Sequence, residues 1–149
     1  MRAVVQRVKR AGVRVEGAQR GSIEKGLLVY LGVEKGDGPE DLEYIAGKLA
    51  TLRVFEDASG RMNHDIKESG GAFLIISQFT LVGDMRKGRR PSFEAAENPE
   101  KALALYKNLN SDLREKGFTV AEGEFGAHME VDSINDGPVT ILLDSRKVF

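Results

Sequence analysis

Apolar positions along this chain fall into short runs and two helical stripes. The most apolar run is Ala72-Phe73-Leu74-Ile75-Ile76, with Gly70-Gly71 before it and a polar loop after it. A run that short, with such borders, predicts a buried strand rather than a helix. Leu27-Leu28-Val29-Tyr30-Leu31-Gly32-Val33 is apolar at both parities and predicts a central strand covered on both faces. Residues 3–8 and 13–15 are rich in valine and alternate imperfectly, which predicts two strands joined near Gly12. Gly21-Ser22 reads as a turn and Arg53-Val54-Phe55 as a short strand. Residues 119–121, 127–134 and 139–143 are also strand-like.

Two stretches change period. Gly36-Asp37-Gly38-Pro39 is a helix-start signal, and Leu42, Ile45, Ala46, Leu49 and Leu52 then recur at helical spacing. Asn98-Pro99 opens a second helix by the same logic. Ala102, Leu105, Tyr106, Leu109 and Leu113 give it one apolar face, and Gly117 stops it. Asp57-Ala58-Ser59-Gly60 is a turn, and residues 63–68 predict no element. The pattern is α/β in layers, with both helices on one face.

Composition narrows the function. A chain of 149 residues fits one domain with a substantial core, spanning 1–149. The formal net charge of -1 argues against a non-specific polyanion binder, so any nucleic-acid contact must come from a local patch. With no cysteine, disulfides, thiolate metal sites and cysteine nucleophiles are excluded. No apolar run is long enough to span a membrane, and no secretory signal is visible; the expectation is a cytoplasmic protein without membrane contact.

The buried strand ends in Ser77-Gln78-Phe79-Thr80-Leu81. It delivers two hydroxyls and an amide to a strand's C-terminal mouth, where α/β proteins bind ligands. The same residues also suit a plainer task, satisfying backbone groups as the strand leaves the core. A Thr80 nucleophile would need an adjacent base, and the motif holds none. His64 and His128 fit no metal-ligand or Gly-x-Ser-x-Gly pattern; one reads as solvated, the other as a packing or surface position. Gly137-Pro138 reads locally as a tight turn between two strands. Arg7 reads as a solvated edge residue, and Phe125 as a core aromatic. Arg86-Lys87-Gly88-Arg89-Arg90 is the densest basic run and reads as a solvated loop.

Two motifs taken together alter this balance. Ser77-Gln78-Phe79-Thr80-Leu81 and Asn135-Asp136-Gly137-Pro138-Val139-Thr140 closely resemble the two signature motifs of the D-aminoacyl-tRNA deacylases. Met1-Arg2-Ala3-Val4-Val5-Gln6-Arg7-Val8, Lys87-Gly88-Arg89-Arg90-Pro91-Ser92-Phe93 and Gly123-Glu124-Phe125-Gly126-Ala127-His128-Met129 resemble the same family, in family order. Ser133-Ile134 departs from it, since two apolar residues are expected there.

The resemblance implies an α/β/β domain whose mixed β-sheets form a barrel-like core. It implies hydrolysis of the ester of D-aminoacyl-tRNA at the acceptor end, with Ser77, Gln78, Phe79 and Thr80 as the catalytic strand end. It further implies a homodimer in which a cis Gly137-Pro138 pair enters the partner's pocket and rejects L residues. Arg7 would hold that pair through its fork of donors. Phe125 would line the pocket for the terminal adenosine, by stacking. Arg86, Lys87, Arg89 and Arg90 would contact tRNA phosphates. No cofactor, metal or DNA partner is expected.

An aminoacyl ester is already activated, so a fixed pose with backbone N–H groups near the carbonyl oxygen supplies much of the acceleration. A backbone filter rejects L residues by their Cβ and so cannot reject glycine; cleavage of glycyl-tRNA is expected. Two alternatives stay open: a small D-amino-acid ester hydrolase with Thr80 as nucleophile, and a non-catalytic module binding aminoacylated RNA ends.

Overall fold

The computed structural model describes all of residues 1–149. Its organising strand is β1 (Arg2–Val15). One edge of β1 pairs with β3 (Gly26–Gly32) over residues 2–8 and with β2 (Ala18–Ile23) over residues 11–15. Its other edge pairs with β8 (Glu130–Asp144) over residues 2–14. β6 (Ala72–Ser77) lies parallel to β3, and β7 (Val120–Glu122) parallel to β6. β4 (Phe55–Glu56) and β5 (Met62–His64) form a separate hairpin. The sheet curls until β2 nears β7. A Cβ on Gly21 would lie 2.7 Å from the Glu122 carbonyl oxygen, so the near-closure of the barrel depends on a residue without one.

Helices α1 (Pro39–Thr51) and α2 (Pro99–Glu115) begin as their caps dictate. The Gly38 N–H donates to Asp41 Oδ2 at 2.9 Å, and Asn98 Oδ1 accepts from the Lys101 N–H at 3.0 Å. α2 stops at Gly117, whose φ of 89° a side chain would oppose.

Burial on both faces of β3 and β6 divides the core in two. Leu27, Val29, Leu31, Phe73 and Ile75 face the helices, meeting Ile45 and Leu49 of α1 and Leu105, Tyr106 and Leu109 of α2. Their neighbours Leu28, Leu74 and Ile76 point into the barrel, against Val8, Ala11, Val13 and Ile23. Each such fully buried aliphatic side chain contributes about 1.5–3 kcal/mol. This is the layered α/β arrangement, with a barrel-like core and both helices on one face. No helix is long and apolar enough to cross a membrane.

Several boundaries differ from expectation. The short strand expected over residues 53–55 is β4 at Phe55–Glu56, and its hairpin partner β5 reaches into residues 63–68, where the sequence predicts no element. Residues 3–15 form one strand that runs through Gly12, because β8 supports it on both sides of that residue. Gly21-Ser22 lies inside β2; the turn is at Glu16-Gly17, with φ of 51° and 79°. The last two predicted strands are one, β8, because its ladder to β1 resumes after a bulge at residues 136–139. Ser133 and Ile134 sit on β8, both exposed, so no packing is lost there.

Candidate active site

β6 delivers its signature residues to a turn. The Gln78 N–H still donates to the Leu31 carbonyl at 2.8 Å, and the chain then enters a 3-10 turn, Phe79–Val82. Within it the Leu81 N–H donates to Gln78 O at 3.3 Å and the Gly83 N–H to Thr80 O at 3.1 Å. The N–H groups of Phe79 and Thr80 precede any carbonyl the turn could offer and have no backbone acceptor. The Gln78 amide donates to the Thr80 hydroxyl. Neither the nitrogen nor the oxygen of an amide is basic enough to take a proton from it.

Beside this turn opens a pocket of about 530 Å³. Ile76, Ser77, Gln78 and Phe79 form one wall, and residues 125–129 the other; Glu97 and Pro99 close it at the start of α2. The pocket exists because β6 and β7 part company. Their ladder ends at Ile75 opposite Glu122; the Gly123 N–H gives a last bond to Ile75 O at 3.2 Å, and a Cβ on Gly123 would push aside the flexible side-chain ends of Met129 and Ile76. At the fork the Tyr106 hydroxyl donates to Ile75 O at 2.8 Å, while its ring packs 5.9 Å from Phe125. Burial pushes the Tyr106 hydroxyl up to about 12, so it stays a donor across the working pH range. The Glu97 carboxylate accepts from Lys101 Nζ and the Asn98 N–H, each at 2.9 Å, which holds it below the ordinary carboxylate value.

The second motif lies elsewhere on the protomer. Gln6 pairs with Thr140 and Val8 with Asn135, so the single residue Arg7 faces the four-residue bulge 136–139. The Gly137-Pro138 bond is cis. The bulge is tied at its base, where Asn135 Oδ1 accepts from the Val139 N–H at 3.1 Å. Arg7 is buried, with 7% of its surface exposed. Its Nε donates to Asp136 O at 3.1 Å and its Nη1 to Val54 O at 2.6 Å, bridging the bulge to the β4 segment. Gly137 has a φ of 132°, and a Cβ on it would lie 2.8 Å from Val139 Cγ2 and 3.3 Å from Arg7 Nη2. Within one protomer Gly137-Pro138 does not line the pocket. β1 and β3 stand between β8 and β6.

The basic loop springs from the same turn. Asp84 and Ser92 exchange backbone hydrogen bonds at 2.8 and 2.9 Å, closing the loop at its neck. Phe93 then packs edge-on against Phe79, with ring centroids 5.0 Å apart, and leaves Gly83 no room for a side chain. Arg86 is not free: its Nε and Nη2 grip Asp84, and that bond holds the Asp84 carboxyl down to about 2. Lys87, Arg89 and Arg90 are exposed and make no ion pair.

The structure therefore gathers Ser77, Gln78, Phe79 and Phe125 around one pocket, with Thr80 beside it and the basic loop adjoining. It sets Arg7, Gly137 and Pro138 together at a distance. Sequence reasoning missed Glu97 as a pocket residue. It gave His128 a packing or surface role, although Gly126-Ala127-His128-Met129 belonged to a recognised segment; His128 lines the pocket.

Comparison with known proteins agrees. The family model described as D-Tyr-tRNA(Tyr) deacylase matches residues 4–144. The chain is 59% identical to a D-aminoacyl-tRNA deacylase of Anaeromyxobacter dehalogenans (strain 2CP-C), over all of both chains. It is 54% identical to one of Thermosipho africanus (strain TCF52B), again over both full lengths. Among solved structures, a chain called c-Myc DNA Unwinding Element Binding Protein superposes with a TM-score of 0.91 at 41% identity, covering 97% of this chain and 98% of that one. A chain described as a probable eukaryotic D-amino acid tRNA deacylase shares the fold, with a TM-score of 0.80 at 18% identity, covering 95% and 97%. A family match across nearly the whole sequence, on a fold that brings Ser77 to Phe79 against Phe125, makes this chain a member of the D-Tyr-tRNA(Tyr) deacylase family.

Proposed function

We propose that this protein hydrolyses the ester bond of D-aminoacyl-tRNA, releasing tRNA and the D-amino acid. The observation that carries the reading is the pair of unpartnered N–H groups, Phe79 and Thr80, at the rim of a pocket that holds Phe125. Two backbone donors at a strand end can stabilise the oxyanion as water adds to the ester carbonyl. Phe125 offers a face on which the terminal adenosine stacks. The proton work falls to the substrate's vicinal ribose hydroxyl or to water, because the only partner of the Thr80 hydroxyl is an amide. That geometry speaks against Thr80 as a nucleophile.

The site is completed by a second copy. The free edge of β8 carries exposed Leu142 and Ile134, surfaces suited to a homodimer contact. The partner's Gly137-Pro138 bulge, held rigid from behind by Arg7, approaches the substrate α-carbon and collides with an L side chain. Glycine escapes this filter, so glycyl-tRNA is cleaved as well. Lys87, Arg89 and Arg90 take acceptor-stem phosphates. The sugar–phosphate grip needs no DNA, although the name of one structural relative speaks of DNA.

The test is deacylation of matched D- and L-aminoacyl-tRNA against spontaneous loss, run beside a free D-amino-acid ester. Selective cleavage of the D-aminoacyl-tRNA is expected. Cleavage of the free ester alone would favour a simple esterase, and protection of the tRNA ester a binding module. Thr80→Ala and Thr80→Val should both keep turnover; loss of turnover in both with binding intact would make the hydroxyl essential.

A further inference from the structure

The densest set of buried charges lies behind the 3-10 turn, not in the pocket. Glu34, Asp37 and Asp144 are buried; two arginines and the N-terminal ammonium of Met1, 2.8 Å from Asp37, satisfy them. Arg146 meets Glu34 at 3.2 Å and Asp37 at 3.1 Å. Arg2 meets Glu34 through Nη2 at 3.0 Å and Asp144 through Nε at 2.8 Å. The third nitrogen of Arg2, Nη1, leaves the cluster and donates to the carbonyl of Leu81 at 3.3 Å. Leu81 follows Thr80 inside the turn, and its own N–H closes the turn onto Gln78 O. Gly32, paired with Arg2 across β1 and β3, makes the seat: a Cβ there would lie 3.0 Å from Gln78 O and 3.2 Å from Leu81 Cβ.

We propose that Arg2 is a positioning residue for the hydrolysis, fixing the Leu81 carbonyl so that the Phe79 and Thr80 N–H groups stay aimed at the scissile carbonyl. This rests on the function proposed above for those N–H groups. The turn is only four residues long, so a shift at Leu81 passes directly to Thr80. Two anchored carboxylates hold the guanidinium plane, and only a fork with donors in three directions serves both of them and the turn. A lysine keeps the charge but reaches fewer partners.

The experiment compares Arg2→Lys with Arg146→Lys. Both take one fork from the same buried cluster, but only the first touches the turn. Arg2→Lys should lower kcat about ten-fold or more, as a misplacement approaching 1 Å would, with KM within about two-fold. Arg146→Lys should keep kcat within about two-fold at a similar loss in Tm. Assays run well below both Tm values keep each variant folded, and the backbone amide shifts of Phe79 and Thr80 are recorded alongside. They should move in Arg2→Lys and not in Arg146→Lys. An unchanged kcat in Arg2→Lys, or equal losses and equal shifts in both variants, would overturn the proposal. If the wild-type protein fails to cleave D-aminoacyl-tRNA, the proposed function falls, while the amide shifts still decide whether Arg2 sets the turn.

Discussion

Replacing Arg7 with methionine tests the link between a buried guanidinium and the Gly137-Pro138 bulge. The methionine fills much of the same volume but donates nothing. Two carbonyls, Asp136 O and Val54 O, lose charged donors at 3.1 and 2.6 Å. An acceptor orphaned by such a deletion costs about 1–3 kcal/mol, so the pair costs about 2–6 kcal/mol. The lower half of that range applies, because Asp136 is partly exposed and water replaces its lost donor. About 3 kcal/mol corresponds to a Tm fall of about 6–12 °C for a domain of this size. Arg7→Lys retains one of the two bonds and should lose about half as much. Urea unfolding with an unchanged m-value gives the free energy, and deacylation of matched D- and L-aminoacyl-tRNA gives the selectivity. With the bulge untied, L-aminoacyl-tRNA should be cleaved measurably while cleavage of the D substrate declines. If Arg7→Met unfolds at the wild-type urea concentration and rejects L substrates as sharply, Arg7 neither supports the fold nor the filter.

Gly137→Ala should destabilise the bulge by about 1–3 kcal/mol and depress D-substrate turnover, read by thermal melts and single-turnover assays, because its Cβ meets Val139 and Arg7 in a backbone conformation side chains avoid. Asp84→Asn should free Arg86 for RNA and steepen the log–log salt dependence of tRNA binding by about 0.7–0.9, the increment for one more phosphate contact. In the wild type the depressed Asp84 value means that the pair gains its strength above the ordinary carboxylate pKa. It is lost only as pH falls towards about 2, so the salt slope should be flat between pH 5 and 8. Tyr106→Phe removes one donor to Ile75 O at the pocket fork and should cost about 1 kcal/mol in stability, with a rise in KM, measured by melts and saturation kinetics.

Much of this was legible beforehand, and the exceptions share a cause. β3 and β6 were visible because burial on both faces writes an unbroken apolar run. The helices were visible because Pro39, Asn98 and Gly117 mark their ends. The sequence predicts a break near Gly12 and a turn at Gly21, because glycine ordinarily punctuates. In this barrel glycine instead permits close approach, and a Cβ at Gly21 would strike the Glu122 backbone. The bulge in β8 hid its continuity. At the site, Ser77 to Thr80 and Phe125 stood out as local strings. Arg2 did not, since its partners lie 32 to 142 positions away and no short pattern records them. Glu97 escaped for the same reason: its place in the pocket depends on how α2 docks.

The uncovered side of β8 has a bearing on how the protein is made. Fifteen residues of strand, flanked by leucine and isoleucine side chains open to water, leave a nascent single copy with a row of backbone groups seeking any extended peptide. In the homodimer proposed above a second copy covers this edge, so dilution should release single copies that proteases cut faster, and storage at high concentration should protect the chain.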